Sequence, residues 1–234
     1  MRHIHLQTTV GQAVAEHPDL ARIFEHLQID YCCGGRRTLG DALRERGLEP
    51  QTALRVLAAS AGARFTHEAD CARLTMPELL DHIECTHHGY LHEVLPRLVG
   101  LADKVVVAHG ERHPELARLR ELVRLFVDEM QDHLAREEAV LFPCLRELAG
   151  GRPGFWGGLE APIQMMESEH DESGRTLREI RELTDGFQAP ADACSSWRSL
   201  LQALAGIEFD THLHVHKENN ILFPRVREML AERV

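Results

Sequence analysis

The 234-residue chain is poor in aromatic residues, which make up 5% of it. It also lacks any persistent apolar/polar alternation, so strand signals are sparse and long helical patterns dominate. No apolar run approaches the roughly 18 residues that a membrane span requires. The N-terminus lacks the basic and apolar stretches of a signal peptide, so a cytoplasmic protein off the membrane is expected. A basic surplus is missing too: the net charge of -11 argues against nucleic acid as a partner. Nor do the six cysteines look like a secreted disulfide framework in a chain of this length. Cys71, Cys85, Cys144 and Cys194 are scattered and read as reduced packing residues. Cys32 and Cys33 are adjacent and different in kind.

The chain does hold sixteen histidines, clustered mostly between positions 82 and 113 and again at 212–216. Its helical patterns predict a small N-terminal domain over residues 1–65, with helices near 10–17, 18–29, 38–46 and 50–61. A linker over 62–74 follows, and then four long helices in an up-down bundle over 75–234. The first of these begins at the capping box Thr75-Met-Pro-Glu78 and reaches about residue 102. The second spans about 114–148, the third 159–185, and the fourth runs from a cap at Asp192 to about 231. Residues 150–158 hold five glycines and one proline, so a loop is expected there. Pro143 and Pro224 fall inside helical patterns, where a kink or an early break is expected.

One segment occurs twice. His133-Leu-Ala-Arg-Glu137-Glu-Ala-Val-Leu-Phe-Pro143 recurs 81 residues later as His214-Val-His-Lys-Glu218-Asn-Asn-Ile-Leu-Phe-Pro224. Each copy sets a His and a Glu at i and i+4, one turn apart on one helix face. The echo extends further: His88 precedes His133 by 45 residues, and His170 precedes His214 by 44. Four imidazoles and two carboxylates make six ligands, a donor set that suits iron or manganese. With each Glu bridging and an oxide or hydroxide added, each metal would be five-coordinate, with one position open. On the first helix the apolar stripe Leu80, Ile83, His87, Leu91, Val94 and Leu98 favours His87, and the echo does not separate it from His88. Glu169 and Asp171 flank His170 and are candidates to orient the site. His82, His92, His109, His113, His212 and His216 have no counterpart in the echo and read as surface or supporting residues.

Adjacent cysteines rarely pair with each other, because the ring is strained. Cys32 and Cys33 are instead suited to hold a metal, exchange thiols or react with NO or peroxide. Arg36 and Arg37 would favour the thiolate, and Gly34 and Gly35 allow a tight loop.

Together these residues resemble the RIC family, the di-iron "repair of iron centres" proteins whose main domain is hemerythrin-like. The resemblance rests on Asp30-Tyr-Cys-Cys-Gly-Gly35 with Thr38-Leu39, on the two His-x3-Glu segments, and on Met166-Glu-Ser-Glu-His170-Asp-Glu-Ser-Gly174. It implies an all-helical, hemerythrin-like bundle whose iron ligands are His88, His133, His170 and His214, with Glu137 and Glu218 bridging two iron ions. Leu95-Pro96, placed as in the family, selects His88 over His87. The implied role is repair of iron-sulfur clusters damaged by nitrosative or oxidative stress. It would act by iron donation, with NO reduction at the di-iron centre as a further activity. Damaged iron-sulfur proteins would be its clients, NO or O2 its small ligands, and a homodimer is compatible. Cys32 and Cys33 would serve redox chemistry or iron transfer. The competing readings are a non-catalytic O2 or NO binder or sensor, and a structural zinc or manganese site.

Overall fold

In a computed structural model that describes residues 4–60, 71–152 and 158–232, the regular structure is helical, apart from one isolated bridge between Thr9 and Thr38. The helices are α1 (Val10–Glu16), α2 (Leu20–His26), α3 (Leu39–Glu45), α4 (Pro50–Ser60), α5 (Met76–Ile83), α6 (Gly89–His109), α7 (Glu115–Arg136), α8 (Phe142–Ala149), α9 (Glu160–Leu183), α10 (Ser195–Lys217) and α11 (Phe223–Ala231). No described helix is long and apolar enough to cross a membrane. Of the expected linker, residues 62–70 lie outside the described residues, as do 153–157 of the expected glycine-rich loop.

The chain forms two compact units. One takes in residues through Leu79 together with His212 onward; the other is Leu80–Thr211. In the second, α6, α7, α9 and the N-terminal part of α10 make a helical bundle. Phe126 and Met130 from α7, Leu91 and Leu98 from α6, Leu177 and Ile180 from α9, and Trp197 and Ile207 from α10 fill one apolar core. The α6 helix continues past the expected stop near 102, because Ala102 and Val105 still face that core and the chain turns only at Gly110. Two devices close one end of the bundle. The rings of His109 and His113 pack against Trp197 at 4.9 and 4.8 Å. After α9, Asp185, Gly186 and Phe187 all take positive φ, and Arg181 lies over the Phe187 ring while pairing with the buried Glu208.

Asp192 does not cap the last long helix. Its carboxylate bonds to Arg112 and His113, and the helix starts three residues later, at Ser195. The Thr75–Glu78 capping box does form, with the Thr75 N–H donating to Glu78 at 2.8 Å.

Three of the long helical runs contain a single widened π-turn: Glu84–His88 between α5 and α6, Glu137–Leu141 between α7 and α8, and Glu218–Leu222 between α10 and α11. Each is closed by an i→i−5 hydrogen bond: Gly89 to Glu84, Phe142 to Glu137, and Phe223 to Glu218. The latter two turns explain why Pro143 and Pro224 cause no break. The widened turn sets each proline in the first turn of a new α-helical stretch, where its missing N–H needs no partner.

In the first unit, Thr9 and Thr38 cap α1 and α3 by accepting the N–H of Gln12 and Asp41. Val10, Val14, Leu20, Phe24, Tyr31, Leu39 and Leu43 are its core. The 30–37 loop is fastened to the Glu218–Leu222 turn through Asn220, whose amide donates to the carbonyls of Tyr31 (3.2 Å) and Cys32 (2.9 Å). Asn220 sits so close to Gly11 and Gly35 that a Cβ at either would fall 2.2 or 2.1 Å from its Oδ1. Arg225 holds the segment before α5 in the same manner, donating to the carbonyls of Leu74 and Ala72, each at 2.6 Å.

Replacing Asn220 with Ala leaves two carbonyls without this donor and should lower stability by about 1–3 kcal/mol in urea unfolding. Gly35→Ala should act in the same direction by displacing the same side chain. The two together should cost clearly less than their sum, since they break one contact. Full additivity would show that the fastening is not what holds the loop.

Candidate metal centre

The apolar stripe of α7, through Leu119, Leu122, Phe126 and Met130, leads one turn at a time to His133 and then to Glu137, which is fully buried. A carboxylate in such surroundings is costly unless a cation or several donors face it. Imidazoles face it here. His133 Nε2 lies 3.3 Å from Glu137 Oε2, and His88 Nε2 lies 3.4 Å from the same oxygen. His170 Nε2 is 3.2 Å from His133 Nε2. The ligand atoms of His133, Glu137 and His170 all fall within 4.8 Å of one another, and all three residues are buried.

The outward nitrogens are held as well. His88 Nδ1 bonds to Glu138 Oε1 at 2.9 Å, which also takes His92 Nε2 at 2.8 Å. His133 Nδ1 bonds to Glu169 Oε2 at 2.8 Å, while Arg136 holds the other oxygen of Glu169 at 2.8 Å. The bond from His133, seconded by Arg136, keeps the Glu169 carboxyl below the usual carboxylate range despite partial burial. Burial works against ionisation of Glu138 too, yet its bonds to His92 and His88 prevail and lower its pKa. Two ionised carboxylates thus accept the Nδ1–H of His88 and His133, which leaves each Nε2 lone pair pointing inward. That is the support metal-ligating histidines ordinarily have, and it fixes which ring nitrogen faces inward. The donor chemistry fits a borderline cation such as iron.

His87 is as buried as His88, yet its Nδ1 bonds to Asp210 at 2.8 Å, and its ring sits edge-on to His82. Both neighbours can be buried because they lie in the widened turn, where an extra residue shifts the helix face. A 3.6-residue periodicity drawn through this stretch therefore cannot choose between them. Glu169 does support an imidazole, that of His133 rather than of its neighbour His170; Asp171 is exposed. Helical spacing alone does not point to Glu138, Arg136 or Asp210. For Glu138 a signal existed: the first copy of the repeat has Glu-Glu where the second has Glu-Asn.

In the unit that contains His212 onward, the second copy places His214 Nε2 3.1 Å from Glu218 Oε1, both with no exposed surface. The two flanking histidines serve the 30–37 loop. His216 Nδ1 faces the Tyr31 carbonyl at 3.4 Å, and burial drops its pKa to about 4, so it stays neutral. His212 and the Tyr31 hydroxyl share Glu25 Oε1, at 2.7 and 2.9 Å, and Tyr31 packs edge-on to both rings. In the loop, Asp30 Oδ1 accepts the N–H groups of Cys32 and Cys33 at 3.1 and 3.0 Å. Cys32 is a buried thiol whose pKa is pushed well up, first by its contact with Cys33, then by burial and by Asp30. The expected thiolate does not arise at Cys32. Arg37 pairs with Glu45 instead of with the sulfurs.

Comparison with known proteins agrees with this chemistry. Residues 76–226 match the hemerythrin HHE cation binding domain, and residues 6–61 match a domain of unknown function, DUF542. A protein of Haemophilus influenzae named "Probable iron-sulfur cluster repair protein" is 32% identical over 94% of this chain and 96% of its own length. "Iron-sulfur cluster repair protein YtfE" of Enterobacter sp. is 32% identical over 92% of this chain and 94% of its own. "Iron-sulfur cluster repair protein ScdA" of Staphylococcus haemolyticus is 31% identical over 93% and 96%. A hemerythrin HHE domain implies bound iron, and the His and Glu clusters described above are of a kind able to hold a metal ion. With nearly two thirds of its length matching that domain and relatives aligned almost end to end, the chain belongs to the hemerythrin-domain iron-sulfur cluster repair family.

Proposed function

We propose that this protein repairs iron-sulfur clusters damaged by nitrosative or oxidative stress, in the cytoplasm, by donating iron held in its helical bundle. Two iron ions are the cargo that the family resemblance implies, and His88, His133, His170, His214, Glu137 and Glu218 are the residues that would hold them. The resemblance gives Glu137 and Glu218 the bridging role. The observation that carries the reading is the convergence of imidazole Nε2 atoms on buried Glu137, each of His88 and His133 held from behind by an ionised carboxylate.

Bound iron would supply redox-active Lewis acidity and a labile cargo. The chain's own groups do the rest. Glu138 and Glu169 fix ring orientation, and the apolar core around Phe126 and Phe142 excludes water. Phe142 lies stacked on the His88 ring at 5.4 Å. Ligation by imidazole and carboxylate, without thiolate, holds iron less tenaciously than sulfur clusters do, which suits handing it on. Damaged iron-sulfur proteins are the clients this reading requires. NO and O2 are the small molecules the centre would meet under stress.

Iron-loaded protein should restore activity to an NO-damaged iron-sulfur enzyme in a buffer with no other iron source, and stripped protein should not. If loaded protein instead binds O2 or NO reversibly and restores nothing, it is a carrier or sensor.

Removing the support should loosen the cargo without removing a ligand. Glu169→Ala should weaken iron retention against a chelator by roughly 10–100-fold. Glu169→Gln, which can still accept the Nδ1–H, should keep part of it. Equal loss in both, or none in either, would remove Glu169 from the account.

A further inference from the structure

The 30–37 loop carries a second group of donors. The Cys32 and Cys33 sulfurs are 3.9 Å apart, and the Asp30 Oδ1 is 3.3 Å from Cys32 Sγ. One ligand atom from each of the three residues lies within 4.8 Å of the others. A cation bound about 2.3 Å from each of two sulfurs at a tetrahedral angle would hold them about 3.8 Å apart. The sulfur spacing is therefore already the one a metal would impose.

The loop is built rather than incidental. Asp30 gathers the N–H groups of both cysteines, which turns the two side chains to one side of the chain. Gly34 lets the backbone fold onto Asp30; a Cβ there would fall 2.9 Å from the Asp30 carbonyl oxygen and 3.2 Å from Oδ2. Asn220, two residues after Glu218, pins the Tyr31 and Cys32 carbonyls. Asp30 is exposed, Cys33 half-buried and Cys32 buried, so an ion could arrive from solvent on the Asp30 side.

We propose that Asp30, Cys32 and Cys33 form a separate site for a thiophilic divalent cation. Its fourth position is open to solvent or to a ligand from a client. Binding displaces one proton from each thiol: M2+ and two S–H groups give a dithiolate complex and two H+, with no change of oxidation state. Two thiolates side by side next to Asp30 would repel one another, and a bound cation would remove that repulsion. On the repair reading above, on which this last step rests, the ion is ferrous iron and the loop is its point of entry or exit.

The test is an anaerobic titration of the iron-loaded full-length protein with Co2+. A thiolate-to-cobalt charge-transfer absorption in the near ultraviolet cannot arise from imidazole and carboxylate ligands. It should appear, saturate at one ion per chain, and be accompanied by release of two protons. Cys33→Ser should abolish the band, and Asp30→Asn should weaken Co2+ binding roughly tenfold or more. The iron content of the bundle should stay unchanged in both variants. Cys33 and Asp30 are not core residues, so these variants stand even if Cys32→Ser fails to fold. Absence of the band in the parent protein, or its survival in Cys33→Ser, would overturn the site. Added Fe2+ should compete the band away; a band that resists Fe2+ would overturn the iron assignment. A cobalt band in a protein that repairs nothing would leave the site standing and sink the repair reading instead.

Discussion

The structure turns on the burial of Glu137, with imidazole nitrogens facing its carboxyl group. A charged group in that position is unfavourable in an apolar bundle, and everything near it is arranged to make it tolerable. His88 and His133 turn their Nε2 atoms inward, and their Nδ1–H groups are satisfied by Glu138 and Glu169. Those two acids in turn bond to His92 and Arg136. The core of Leu119, Phe126, Met130 and Phe142 gives the donors rigid helical supports. Fold and site are thus one problem: the bundle needs a cation to justify its buried donors, and the cation needs the bundle to hold them apart from water.

The widened turns belong to the same arrangement. Three of the residues proposed as ligands, His88, Glu137 and Glu218, lie at the end or the start of a π-turn. An extra residue in a helix costs hydrogen-bond quality, so such turns persist mainly where they re-aim a side chain. Here they do that and also seat Pro143 and Pro224 in the first turn of a new helical stretch. The shared Leu-Phe-Pro endings of the two copies thus have a physical basis in the turn geometry that precedes them.

Much of this was legible in the sequence, because it depends on local period and chemical type. The repeat of His and Glu at i and i+4, the helical class and the Thr75 capping box all follow from spacing along one chain. What depended on tertiary partners was not. That His87 and His88 are both buried depends on the widened turn, which no 3.6-residue pattern reveals. Asp192 reads as a cap until Arg112 and His113 are seen to take it. The length of α6 is set by Val105 finding a core to enter. Cys32 reads as a thiolate beside two arginines, yet its environment is Cys33, Asp30 and burial. Asn220 is the clearest case. It differs from Ala139 in the first copy for a reason visible only once the 30–37 loop folds over it.

The measurement that tests the central claim most directly is the iron content of the purified protein, set beside Glu137→Ala and Glu218→Ala variants of confirmed helical content. If both carboxylates serve two ions in common, the parent holds about two irons per chain and each variant loses most of both together. If either variant keeps its full complement, or the parent holds a single ion or none, the shared buried carboxylates are not a metal bridge and the account of the site is wrong.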